Sequence, residues 1–197
     1  MGYLNKKEKF ILNVWPKIEL FLDRYSQASY KQWYGPYIWN EDGDLKRIIT
    51  RFCEDEFDLL AVHNETSISK HHFLRFEEQL KINERKKKLS IDIDVTDARE
   101  WQNYNDYRNN IHELFIEVKG MKNDLTFNDP EEKLKGFKED CKKLKGLIDD
   151  GYCKHGISIL VDQGDKEGNN YIPDKEILIQ KVNELYSPVT PLIWQKK

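Results

Sequence analysis

Two stretches in which apolar and polar residues alternate constrain this chain more than anything else in it. In Ile111-His112-Glu113-Leu114-Phe115-Ile116-Glu117-Val118-Lys119-Gly120, residues Leu114, Ile116 and Val118 alternate with Glu113, Phe115, Glu117 and Lys119. In the stretch from Lys86 to Thr96, Leu89, Ile91, Ile93 and Val95 alternate with Ser90, Asp92, Asp94 and Thr96. A period of two is that of a strand with one face in a core. Neighbouring strands resting on one core turn their other side chains to a common side. Asp92, Asp94, Glu117 and Lys119 are therefore expected on one polar surface, with Glu117 and Lys119 roughly 6.5 Å apart at ~3.3 Å per residue. Such an acid and lysine are either a plain surface pair or a metal ligand beside a basic group. Stacking Asp92, Asp94, Glu113 and Glu117 with no cation near them is repulsive, which weighs against the first.

The chain has 197 residues, enough for one domain with a proper core, and with 34% charged residues its apolar positions must be well organised to cover it. No run reaches the ~18 apolar residues of a membrane span, and the Lys-rich start lacks an apolar signal region; a soluble, cytoplasmic protein with no membrane partner is expected. A net charge of −3 argues against coating nucleic acid through bulk positive charge. It leaves room for an enzyme whose acids are neutralised by bound cations. Cys53, Cys141 and Cys153 have neither zinc-ligand spacing nor an even count, so they read as reduced thiols, Cys53 and Cys141 on apolar helix faces.

Residues 6 to 34 read as helix, with Pro16 opening a second segment. The aromatic cluster Tyr30, Trp33, Tyr34, Tyr37 and Trp39 is either a platform for stacked bases or a packing or homodimer contact. A helix follows the polar turn at Asn40 to Asp44, and Glu54, Asp55 and Glu56 stand at its end, where the dipole prefers cations. One of them, or Glu41 or Asp44, is a possible outer metal ligand. Phe57 to His63 reads as a strand, and the adjacent His71 and His72 as loop residues. Arg85 to Lys88 brings four cations into the acidic strand, as a solvated edge or a phosphate contact. Residues 97 to 110 read as a long polar connection carrying Arg99, Trp101, Tyr104, Tyr107 and Arg108. Asp129-Pro130-Glu131-Glu132 is a helix start, with Leu134, Phe137, Cys141, Leu144 and Ile148 as its buried stripe and Gly151 as its stop. Gly156 to Asp162 reads as a buried parallel strand. Pro173 to Tyr186 reads as a last helix capped by Asp174, with Ile177, Leu178, Val182 and Leu185 inward, and the tail as irregular. The expected class is α/β, a mixed central sheet flanked by helices, with residues 1–39 a helical aromatic-rich N-terminal segment and 40–197 the α/β domain.

The order helix, strand, acidic strand, Glu-x-Lys strand, helix, buried strand resembles the restriction-endonuclease-like, PD-(D/E)XK, nuclease superfamily over about residues 40 to 165. The match is Ile91-Asp92-Ile93-Asp94 followed by Glu117-Val118-Lys119. Ile91 stands where that family often has proline, and both Asp92 and Asp94 compete for the acid role. The resemblance implies a metal-dependent endonuclease acting on DNA, with RNA also open. Asp92 or Asp94 and Glu117 would hold Mg²⁺ (or Mn²⁺), with the Val118 carbonyl as a third oxygen, and Lys119 would contact the scissile phosphate or the attacking water. The alternative is a non-catalytic nuclease-like fold serving as a nucleic-acid or protein interaction module.

Overall fold

Among the described residues, five strands form one sheet whose spatial order is the order of the chain: β1 (Val62–Ser69), β2 (Lys88–Val95), β3 (His112–Met121), β4 (Cys153–Asp162) and β5 (Thr190–Gln195). The first three pair antiparallel, and β3, β4 and β5 pair parallel, so the sheet is mixed. The described helices are α1 (Lys6–Lys9), α2 (Trp15–Gln27), α3 (Lys46–Glu56), α4 (Pro130–Asp149) and α5 (Lys175–Tyr186). The computed structural model describes residues 4–27, 44–69, 88–97, 99, 111–121, 130–164 and 169–196. The aromatic cluster at 30–39, Glu41, His71, His72, Arg85, Trp101, Tyr104, Tyr107, Arg108 and Asp129 lie outside the described residues.

A parallel β3–β4–β5 arrangement needs crossovers, and α4 and α5 supply them, covering one face of the sheet. The N-terminal helices and α3 cover the other. Alternation along β3 and β4 divides the core accordingly. Leu114, Ile116, Val118, Ile157, Ile159 and Val161 pack with Phe10, Val14, Ile18, Leu22, Ile49 and Cys53. Phe115, Met121 and Leu160 pack with Phe137, Cys141, Leu144, Leu178 and Val182. The expectation of one apolar and one polar face on β3 is thereby corrected: Phe115 is fully buried, and Glu117 shares its side of the strand under α4.

Other elements depart from the sequence reading for local reasons. Pro16 stands in the first turn of a second segment, α2, as expected, but no break precedes it. Instead Phe10–Val14 forms a π-helical turn, with the Trp15 N–H bonded to the Phe10 carbonyl, just ahead of the residue that has no N–H to give. Phe57 ends α3 in an extended conformation, Leu59–Ala61 is a 3₁₀ turn, and β1 begins only at Val62. That apolar run is therefore a helix-to-strand corner rather than a strand. On α5, capped by Asp174 as expected, Leu178 and Val182 are buried, but Ile177 and Leu185 are 50% and 65% exposed. The tail is not irregular: β5 joins β4 in parallel, and Pro191 is tolerated because β5 is an edge strand. Gly151, at φ +78°, closes α4, and all three cysteines are buried. Among the described residues no helix is long and apolar enough to cross a membrane.

Candidate functional site

The β2–β3 ladder is short. It pairs Val95 with Leu114, Asp94 with Phe115 and Ile93 with Ile116, and goes no further. Beyond that point β2 continues against β1 as far as Ser69 and Lys88, while β3 continues against β4 as far as Met121 and Asp162. The two strands thus fork at Asp92 and Glu117. Asp92 fills the opening with its side chain, Oδ2 accepting from the Val118 N–H at 2.9 Å. The fork also breaks the alternation of β2: Ile93 and Val95 enter the core beneath α3, whereas Ile91 enters the one beneath α4. The expectation that all of β2's apolar residues share one face holds only up to the fork.

Three ammonium groups meet the acids there. Lys46, the first residue of α3, places Nζ 2.7 Å from Asp92 Oδ1 and 3.2 Å from Glu65 Oε1. From the opposite face of the sheet, Lys143 of α4 places Nζ 2.6 Å from Glu117 Oε1, 3.5 Å from Asp140 Oδ1 and 3.2 Å from the Ser90 carbonyl, to which it donates. Lys119 Nζ lies 3.4 Å from Asp140 Oδ2. Glu117 and Lys119 thus share a side of β3, as the alternation predicts, and both turn toward α4. Asp92, Glu117 and Asp140 are counterbalanced by Lys46, Lys119 and Lys143.

Glu117 is the most perturbed of these groups. It is 3% exposed, and burial pushes its carboxyl up to about 8; Lys143 pulls it back, and Asp92 and Asp140 push it further. Its buried Oε1 faces the Lys143 ammonium, and the buried Asp140 Oδ2 faces that of Lys119. Burial likewise raises the Asp140 carboxyl, against the pull of Lys143 and Lys119. Clustered buried carboxyl oxygens suit a hard divalent cation, which needs only one or two protein carboxylates. Among the described residues, no three His, Cys, Asp or Glu side chains converge closely enough to hold a metal.

Asp94 stands apart from this cluster. It is 2% exposed, Oδ1 accepts from the Thr96 hydroxyl at 2.5 Å, and Oδ2 lies 2.7 Å from His112 Nδ1. The Thr96 hydroxyl in turn accepts from the Glu113 N–H, so Asp94 fastens the end of β2 to the start of β3. Of the two competing aspartates, Asp92 is the one at the fork. Val118 contributes its N–H to Asp92, and its side chain is in the core. Glu56 is engaged by Asn13 and Lys17 on the N-terminal helical segment, not by the fork.

Sequence reasoning singled out none of Lys46, Asp140 and Lys143. Asp140 did carry a signal: it lies three residues after Phe137 and four before Leu144, an acid on an apolar stripe. Lys143 was hidden among many lysines, and nothing local marked Lys46. No family model, curated protein or solved structure matches the chain.

Proposed function

We propose that the chain is a magnesium-dependent nuclease, manganese serving as well, that hydrolyses phosphodiester bonds in DNA. The observation that carries this reading is the gathering of Asp92, Glu117 and Lys119 at one strand fork. The order α3, β1, β2, β3, α4, β4, with the acid on β2 and the acid-x-lysine on β3, is also the order on which the resemblance to the PD-(D/E)XK superfamily rests.

Asp92 and Glu117 would hold the ion, with the Val118 carbonyl as the third protein oxygen. When bound, the ion supplies an activated water and polarises a phosphate oxygen. The chain's own part is positioning and charge. Asp92 is oriented by the Val118 N–H and by Lys46. Glu117 is kept in a dry setting under α4, where its interaction with a cation is strengthened. Lys119, a donor with no acceptor capacity, meets the scissile phosphate or the attacking water and stabilises charge that grows in the transition state.

The test is a magnesium and manganese titration with plasmid, single-stranded DNA and RNA substrates. Cleavage should require the ion and be lost in Glu117→Ala and Asp92→Asn. Lys119→Met should lower kcat by about a hundredfold or more with DNA affinity nearly unchanged. No cleavage under any condition, or cleavage untouched by Glu117→Ala, refutes the reading. One observation favours a second reading: Asp92 and Glu117 each already lie against a lysine ammonium, at 2.7 and 2.6 Å. A non-catalytic module would keep those pairs as structural ties, and it would bind nucleic acid or a protein partner equally well with and without the ion.

A further inference from the structure

We propose that Asp140 of α4 is a positioning residue for Lys119, its carboxylate tethering the ammonium while Gly136, one turn earlier, leaves room for the lysine's stem. The inference rests on the reading of Lys119 as the group that meets the phosphate.

Asp140 occupies a place on the helix where an apolar residue is expected, and it is 9% exposed. A carboxylate there is retained against the cost of its burial only if charge meets it. Its two oxygens divide between two ammoniums, Oδ2 toward Lys119 at 3.4 Å and Oδ1 toward Lys143 at 3.5 Å. Both distances exceed those of a tight charge-assisted hydrogen bond. The acid therefore sets where the ammonium rests without clamping it. Gly136 is the second half of the device. A Cβ added there would stand 3.1 Å from Lys119 Cε and 3.9 Å from Cδ. Gly136 lies inside a helix, where alanine is the better residue for the backbone. What glycine provides at this position is space, and the group using that space is the stem of Lys119.

A merely structural Asp140 would be the partner of Lys143 on its own helix. Three variants separate the two roles. Asp140→Asn should lower kcat about tenfold with KM within about twofold, and Asp140→Glu should restore part of the loss. Gly136→Ala should melt at or above the wild-type temperature and still lose about threefold or more in kcat, because the lysine stem must shift. Wild-type kcat in a stable Gly136→Ala, or in Asp140→Asn, overturns the inference. If the wild-type protein cuts no nucleic acid, the nuclease reading fails by itself, and Lys119 is then read directly. Its acylation by N-hydroxysuccinimide acetate, followed by peptide mass spectrometry with Lys181 as reference, should run several-fold faster in Asp140→Asn. An unchanged ratio overturns the tether.

Discussion

Glu117→Gln tests the electrostatics of the fork without calling on activity. The wild-type carboxyl is held at about 8 against an ordinary 4.5, chiefly by burial. A raised carboxyl means that the folded protein binds a proton the unfolded chain has given up. The resulting stability is fully present below pH 4.5 and is lost as pH rises through about 8. At about 1.4 kcal/mol per pKa unit the whole effect is about 5 kcal/mol, an upper limit because water beside the partly exposed Lys143 softens the burial. About 2 kcal/mol of it is already gone at pH 6 and nearly all at pH 9, so about 3 kcal/mol falls between them. Glutamine keeps the shape and cannot ionise. Thermal unfolding should find the variant's advantage over wild type growing by roughly 6–12 °C from pH 6 to pH 9, at about 2–4 °C per kcal/mol for a chain of this size. Magnesium should reverse the trend in wild type only. Calorimetry at pH 7 in buffers of different ionisation enthalpy should register the release of nearly one proton per ion bound. An advantage that stays flat between pH 6 and pH 9 refutes the buried, proton-holding Glu117, and equal magnesium stabilisation of both proteins refutes its role as ligand.

Two further outcomes follow from the same geometry. Asp94→Asn should lower the melting temperature, since Asp94 holds Thr96 and His112 at the end of the short ladder, and should leave ion binding unchanged; Asp92→Asn should weaken ion binding, and a reversed pattern in titration calorimetry would move the site to Asp94. Phe137→Ala, which empties a fully buried position between α4 and the sheet, should cost about 3–5 kcal/mol in urea unfolding; a loss below about 1 kcal/mol would mean that α4 is not packed where the fork requires it.

How much of this was legible beforehand depends on the range of the interaction that decides each feature. The periods of β2, β3 and α4 are local, and so are the Asp174 cap and the stop at Gly151; a one-dimensional reading finds them. It also finds that Glu117 and Lys119 share a side of β3, because two residues of a strand fix that by themselves. The Glu117 environment is not local. Whether its face is wet or dry depends on α4 crossing back over the sheet, which turns an expected polar surface into a layer where Phe115 is fully buried. The choice between Asp92 and Asp94 is less local still. Both have the same parity and nearly the same neighbours, and they differ only in where the β2–β3 ladder ends: Asp94 lies within it, opposite Phe115, and Asp92 lies one step past its last pair. A carboxylate inside a paired ladder can be satisfied by its own strand ends, as Asp94 is by Thr96 and His112. One at a fork faces backbone N–H groups that have lost their strand partner, and it is drawn into the plane of the sheet toward Val118. The fork therefore tells the two acids apart by presenting the Val118 N–H to Asp92 alone, and alternation alone carries no record of where a ladder stops.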